Sequence, residues 1–392
     1  MENSELSLYL HIPFCTEKCD YCDFYSVPLA KGEQERFIGR YVEALLAETD
    51  RRLKEEAGAG GYTIPSLYIG GGTPSLLGAD IAGLLGGLRP LTGAPGEITV
   101  EANPETADSA FLRACADYGV TRLSLGIQSF NEGARKAAGR KGWSGPALFR
   151  RISEAADMFG QGLSLDLISG LPGQDEEVLR QDIHRALSYN PGHISLYALT
   201  VEEGTPLAQN VNRKGQTGRT IPAGEAADQL WLAGRDALIQ AGFDQYEVSN
   251  FAKSSLGKDR RCVHNIRYWR MNNWLGIGPG ASGTIIGGGG TGRRITYHPD
   301  VGAFCLQNRA PRVIIEELDR ATVVKETLLM GYRYCEGPDP ALFLSRFGKT
   351  IEETIPQTLA AWQNRAGNGS LQETIMNFLN SFLLDAFSEF GS

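Results

Sequence analysis

Leu8–Phe24 reads LYLHIPFCTEKCDYCDF and carries Cys15, Cys19 and Cys22, three of the seven cysteines in the chain. Ser7–Ile12 alternates apolar and polar residues, the period of a strand, and runs directly into this C-x3-C-x2-C array. Three thiolates on one loop can turn toward one centre. A tetrahedral zinc site wants four protein ligands, and no second cysteine pair lies near. Three cysteines can instead hold a four-iron cluster with one iron left open. An open iron can take a small ligand through a nitrogen and an oxygen. A zinc-stabilised barrel stays open as the alternative.

Outward from the array, strand and helix patterns alternate. Short apolar runs at Leu67–Ile69, Glu97–Val100, Arg122–Ile127, Ser164–Ile168 and His193–Leu199 are separated by helical stretches. Six β–α units in series imply an α/β fold with a parallel sheet, a partial (β/α)6 barrel over residues 1–295. Beyond about Thr296 the alternation stops, and residues 296–392 read as a smaller, mainly helical C-terminal domain. Leu207–Gly224 reads as an exposed loop, and Gly287–Gly292 as a flexible connection or a tight hairpin.

The 392 residues are 42% hydrophobic and 21% charged, an ordinary globular composition. A net charge of −8 argues against a nucleic-acid partner held by a broad basic surface. No apolar run approaches the roughly 20 residues that span a bilayer. The start, MENSELSLYLHIPF, lacks a basic flank before an apolar core, so a cytoplasmic location is expected. The odd, clustered cysteine count suits a reducing compartment and metal ligation better than disulfides.

Polar residues gather at the C-terminal ends of the strands: Gly70–Pro74, Glu101, Gln128 and Asp166. That edge is where α/β barrels place ligands. A glycine run lets main-chain groups approach a ligand closely, although a tight turn has the same composition. Carboxylates there suit ribose hydroxyls or an ammonium, and an amide suits either. Arg140 is either a carboxylate partner or part of a solvated face.

Taken together, these residues resemble the radical S-adenosylmethionine (SAM) enzymes. The resemblance implies that Cys15, Cys19 and Cys22 ligate a [4Fe-4S] cluster and that its open iron chelates SAM, which reduction cleaves to a 5′-deoxyadenosyl radical. It also implies that Gly72 and Thr73 hold the methionine amino group, that Arg140 pairs with its carboxylate, and that Glu101, Gln128 and Asp166 face the cofactor. Tyr9 would lie on the cluster side, and Tyr21 against the adenine. His11 reads as pocket-lining or, preferably, as a hydrogen-bonded core histidine.

The start Tyr9-x-His11-Ile12-Pro13-Phe14-Cys15 is similar to the branch that holds the oxygen-independent coproporphyrinogen III dehydrogenases and the HemW-type heme chaperones. The dehydrogenases carry a fourth cysteine two residues after the third, where this chain has Phe24. A second constellation, His264-Asn265-x-x-Tyr268-Trp269, is a hallmark of the chaperone branch. His and Tyr can ligate heme iron, and aromatic rings suit a macrocycle. The resemblance therefore implies heme bound near His264, Asn265, Tyr268 and Trp269, with Cys262 as a further candidate ligand. Partners would be heme and recipient apo-hemoproteins, membrane-bound respiratory enzymes among them. The competing reading is a dehydrogenase that decarboxylates a porphyrinogen.

Overall fold

The computed structural model describes residues 4–29, 34–56, 61–140, 142, 145–212, 221–254, 259–306 and 310–391. Twelve strands make one sheet. The first six are β1 (Ser7–Ile12), β2 (Ser66–Gly71), β3 (Glu97–Ala102), β4 (Arg122–Gln128), β5 (Leu163–Ser169) and β6 (His193–Ala198). The rest are β7 (Asp244–Gln245), β8 (Asn250–Ala252), β9 (Trp274–Ile277), β10 (Ser282–Ile286), β11 (Gly292–Tyr297) and β12 (Val313–Leu318). Across the sheet the order is β7-β8-β6-β5-β4-β3-β2-β1-β9-β10-β11-β12. β1 to β6 are mutually parallel, and β9 joins β1 in parallel on its other side. The remaining pairs are antiparallel. The sheet is open, with β7 and β12 at its edges.

Helices α1 (Gln34–Glu56), α2 (Ile81–Thr92), α3 (Ser109–Asp117), α4 (Glu132–Ala137), α5 (Pro146–Phe159), α6 (Glu176–Leu187), α7 (Pro206–Asn212) and α8 (Glu225–Gln240) connect or flank the parallel strands. Several start on a side-chain cap that satisfies an orphan amide. Asp108 accepts from Phe111 N at 2.8 Å and Asp175 from Val178 N at 2.9 Å.

The strand sequences explain the layering. One face of each is apolar, as in Leu8/Leu10/Ile12, Leu123/Leu125/Ile127 and Leu163/Leu165/Leu167. These side chains are buried in one cluster with Tyr41, Leu84, Phe111, Ile152 and Ile183 of the helices. Burial of a leucine there contributes about 2 kcal/mol, and Leu165→Ala would destabilise the fold by about 3 kcal/mol. The opposite face is polar, and its side chains bond across strands: Tyr68 to Glu101, Ser124 and Ser195 to Asp166, Arg122 to Ser164 and His193. A period-two pattern with polar residues on the inner face therefore leaves the inside of the curl free for chemistry.

Beyond residue 254 the chain adds a short helix, α9 (Val263–Trp269), and then β9 to β12. The expected tight hairpin at Gly287–Gly292 joins β10 to β11, closed by Gly287 N donating to Thr291 O at 2.9 Å. The expected division at 295/296 falls inside β11, which pairs along its length with β12. The helical part begins at Arg320, where Asp319 caps Arg320–Gly331. Its helices pack around Phe343, Trp362 and Phe382, and this second cluster also takes in Ile286 and Leu318 of the sheet. The expected loop at 207–224 is corrected in its first part: Pro206–Asn212 is helical, because Leu207 and Ala208 are buried and Leu207 N donates to Asp20 O at 2.8 Å. Residues 213–220 lie outside those described. Among the described residues no helix is long and apolar enough to cross a membrane.

Candidate active site at the C-terminal ends of the strands

The cysteine loop leaves β1 at the C-terminal edge of the parallel strands. Phe14–Cys15 pairs with Val27–Pro28, which pins the two ends of the loop together. Cys22 N donates to Cys19 O at 3.2 Å, and Asp20 N donates to Ala138 O at 3.2 Å. All three thiols are free and half-buried. Among the described residues no three metal-binding side chains converge on a single-ion site. Yet Cys15 and Cys19 are close enough to Cys22 to raise its pKa, after the larger effect of burial. Three thiols on one loop suit a multi-iron cluster, in which each thiolate takes its own iron.

A hydrogen-bonded path ties the loop to the strand ends. Thr73 Oγ1 donates to Cys15 Sγ at 3.6 Å, and Asn103 Nδ2 donates to Thr73 Oγ1 at 3.1 Å. Arg140 Nη2 donates to Asn103 Oδ1 at 3.0 Å and to Gly126 O at 2.7 Å. The Arg140 guanidinium also bonds the Tyr21 hydroxyl, and Tyr21 in turn bonds Cys19. Thus Cys15, Thr73, Arg140, Tyr21 and Cys19, expected from sequence, are brought together. Asn103, which closes the path, was not singled out. It lies two residues past Glu101, a spacing that sets both on one strand face.

Gly72 is the cradle. A Cβ there would come within 2.6 Å of Phe14 O and 3.1 Å of Cys15 Sγ. Only glycine lets the main chain lie this close to the thiols. Glu101 accepts from Tyr68 Oη at 2.6 Å and from Gly71 N at 3.0 Å. Burial pushes the Glu101 carboxyl up to about 7, against the pull of the Tyr68 hydrogen bond. Asp166 accepts from Ser195 at 2.8 Å and Ser124 at 3.0 Å, and burial raises its pKa too. Gln128 holds φ at +62°, a conformation that costs a non-glycine residue about 1 kcal/mol or more. Its buried Oε1 has no partner. Strain and an orphaned acceptor in one residue mark a group shaped for a ligand. Free thiols, a glycine cradle, a buried guanidinium and an unpartnered amide fit a [4Fe-4S] cluster with SAM beside it.

His11 is a structural member of this edge. Its Nδ1 meets Tyr9 Oη and its Nε2 meets Tyr25 O, both at 3.0 Å. The preferred core reading matches that geometry.

The second constellation sits elsewhere. α9 closes the N-terminal ends of the strands, which form a floor opposite the cysteine loop. Glu97 at the start of β3 accepts from Val263 N at 2.8 Å and His264 N at 2.9 Å. His264 Nδ1 bonds Ser66 Oγ at 2.9 Å, and Arg267 Nε donates to Ser7 Oγ at 2.6 Å. His264 is 1% exposed. Its Nε2 is enclosed without a partner, and burial lowers its pKa to about 3. Its ring lies 4.7 Å from that of Tyr268 and 5.1 Å from that of Tyr68. Trp269 faces the other way, into a small cluster with Tyr246 and Tyr334, with Arg333 over its ring. Asn265 is half-buried beside them in sequence. Cys262 Sγ lies 3.4 Å from Glu97 Oε1. The structure therefore gathers His264 and Tyr268, separates Trp269 from them, and leaves His264 with no open face.

Residues 9–186 match the Radical SAM superfamily. The heme chaperone HemW of Escherichia coli (strain K12) is 40% identical over 285 residues, 71% of this chain and 70% of the relative. The mitochondrial radical S-adenosyl methionine domain-containing protein 1 of Mus musculus is 34% identical over 95% of this chain and 88% of its own length. Among solved structures, coproporphyrinogen III oxidase (HemN) from Escherichia coli, a radical SAM enzyme, superposes with a TM-score of 0.77. The match spans 98% of this chain and 91% of that one at 20% identity, a likeness of fold. The chain belongs to the radical SAM superfamily, in the family of the HemW heme chaperones.

Proposed function

We propose that this protein is a cytoplasmic heme chaperone that carries a [4Fe-4S] cluster and SAM, binds heme, and delivers it to apo-hemoproteins, membrane-bound respiratory enzymes among them. The observation that carries this reading is the 40% identity to a heme chaperone over 285 residues. Phe24, 65% exposed on the cysteine loop where the dehydrogenases have a thiol, agrees with it.

Cys15, Cys19 and Cys22 would hold the cluster, which when bound supplies an electron to SAM. Arg140 and Asn103 would hold the methionine carboxylate, and Gly72 and Thr73 its amino group. Gln128, Glu101 and Asp166 offer an amide and two carboxylates to the ribose and adenine side. Tyr21 packs against Ala134, Ala138 and Leu171, walling that side from water. At the floor, His264 Nε2 is the unpartnered nitrogen that could take heme iron. Ligation there requires α9 to part from Ser66 and Glu97.

The test is heme addition to anaerobically reconstituted protein, followed by gel filtration and visible spectra. A Soret band that co-elutes with the wild-type chain and is lost in His264→Ala is expected. Absence of the band in the wild type, or decarboxylation of coproporphyrinogen III with rescue of a strain lacking its anaerobic oxidase, overturns the proposal.

A further inference from the structure

His264 and Trp269 belong to one constellation yet face opposite sides of α9, and the Trp269 side carries charge of its own. Arg261 lies two residues before α9 and Arg270 directly after it. One carboxylate bridges this pair. Glu336 Oε1 accepts from Arg261 Nη1 at 2.8 Å, and Glu336 Oε2 accepts from Arg270 Nη2 at 2.6 Å. The Tyr334 hydroxyl donates to the same Oε1 at 2.8 Å. Both guanidinium groups lie over the Tyr334 ring, 5.9 and 5.4 Å from its centre. Burial alone would raise the Glu336 carboxyl, but Arg261, Tyr334 and Arg270 outweigh it and lower its pKa. In a chain of net charge −8, this is a local site for an anion.

Glu336 can leave without disturbing the fold. It sits in the turn between Arg320–Gly331 and Pro340–Phe347, and the main chain of that turn is held by other groups. Cys335 N donates to Tyr246 O at 2.8 Å, and Gln372 Nε2 donates to Tyr334 O at 2.7 Å. Only a rotamer change is needed to withdraw the carboxylate. The side chains of Glu336 and Arg270 are 49% and 36% exposed, so a carboxylate from solution can reach the pair. Ion pairs this exposed contribute little, which makes exchange of one carboxylate for another nearly neutral. Beside the pair is a flat surface with idle donors. Arg333 lies over the Trp269 ring at 5.2 Å, and Trp269 Nε1 and Arg333 Nε have no partner.

We propose that Arg261 and Arg270 are the binding pair for a heme propionate, and that Glu336 occupies the pair until heme displaces it. This rests on the heme-binding reading above. Two guanidinium groups converging on one carboxylate are the recognition geometry arginine provides. Glu336 is tethered beside them, so it competes at an effective concentration on the order of millimolar. Its displacement also removes the bridge between the two ends of α9, the helix that must part before His264 Nε2 can meet iron.

Visible titration of the full, anaerobically reconstituted chain with heme and with heme dimethyl ester, in one detergent buffer, tests this. The ester keeps the iron and the ring and lacks both carboxylates. The wild type is expected to bind heme roughly tenfold more tightly than the ester. In Arg261→Met/Arg270→Met heme affinity falls roughly tenfold and ester affinity does not fall, so the preference disappears. Arg261→Lys/Arg270→Lys retains part of the preference, which separates lost charge from lost fold. Glu336→Gln raises affinity for heme roughly fivefold and for the ester by less. Equal wild-type affinity for heme and ester overturns this proposal and leaves the chaperone reading standing. An equal loss of both ligands in the double methionine variant, or a gain in Glu336→Gln that the ester shares in full, overturns it as well. Failure of both ligands to give a Soret band overturns the chaperone reading and this proposal with it.

Discussion

At the C-terminal ends of the strands, Cys15, Cys19, Cys22, Glu101 and Gln128 are half-buried, set in a loop and in strand termini. At the N-terminal ends, Glu97, Arg122, His193, Cys262 and His264 are buried beneath α9. Both ends are polar, and both contain an orphaned acceptor or donor, Gln128 Oε1 above and His264 Nε2 below. The difference is access. The upper edge keeps its thiols, Glu101 and Gln128 partly exposed. The floor is a finished hydrogen-bonded lid. A motif can thus be chemically suited to a ligand while its folded setting withholds it, and the two sites must answer differently to mutation.

The largest separation should come from Cys19→Ala. Iron and acid-labile sulfide should fall to background in reconstituted protein, while the thermal midpoint of the apo chain stays within a few degrees. Collapse of the apo fold would show that the loop is part of the scaffold. Arg140→Met comes next. It removes the guanidinium that draws Asn103, Gly126 and Tyr21 together, and SAM affinity by calorimetry should drop at least tenfold, about 1.5–3 kcal/mol, with the cluster retained. Unchanged SAM affinity would return Arg140 to a purely structural part.

Glu97→Gln probes the floor. It weakens two amide bonds at the start of α9 and should lower stability in urea by about 1–2 kcal/mol, with SAM binding unaffected. An equal loss of SAM affinity would mean that the two ends are not separable.

Acid gives a fourth probe. Burial lowers the pKa of His264 to about 3 and that of His193 as well, so both stay neutral when folded but take protons near pH 6.5 when unfolded. The contribution of both is full above pH 6.5, and that of His264 is lost as pH falls toward about 3. His264→Gln should flatten the acid limb of the stability curve. The smallest effect belongs to Tyr68→Phe. Tyr68 packs on the His264 ring and donates to Glu101, so it spans both regions. A few-fold loss of SAM affinity is expected, and a parallel change in heme affinity would reveal coupling along the barrel interior.

Much of the upper edge was legible in sequence because local rules govern it. The cysteine spacing, the glycine run and the residues ending each strand follow from chain order alone, and all six parallel strands fall where their apolar runs predict. The floor was not legible. His264 and Tyr268 are four apart and share a helix face, which reads equally well as an outward ligand surface or an inward plug. Choosing between them needs Ser66 and Glu97, which are distant in sequence. One signal was present: Ser7, Ser66, Glu97, Arg122 and His193 all open their strands with a polar inner-face residue, which announces a polar counterpart to come. The strands β9 to β12 were hidden for a different reason. β9 is only four residues long, and β10 to β12 are antiparallel, so no regular strand–helix alternation sets a rhythm for them.

The attachment of α9 has a kinetic consequence. Val263 and His264 hang on Glu97, His264 on Ser66 and Arg267 on Ser7, and none of these bonds belongs to the sheet ladder. At about 1 kcal/mol each, plus the rings withdrawn from packing, releasing the seven-residue helix costs on the order of 5 kcal/mol. The released form is then a sub-global excursion populated in roughly one molecule in several thousand, visible as faster amide exchange confined to this helix. For a ligand that binds only that form, apparent affinity scales with its population. Each floor bond removed would tighten capture even as it loosens the fold.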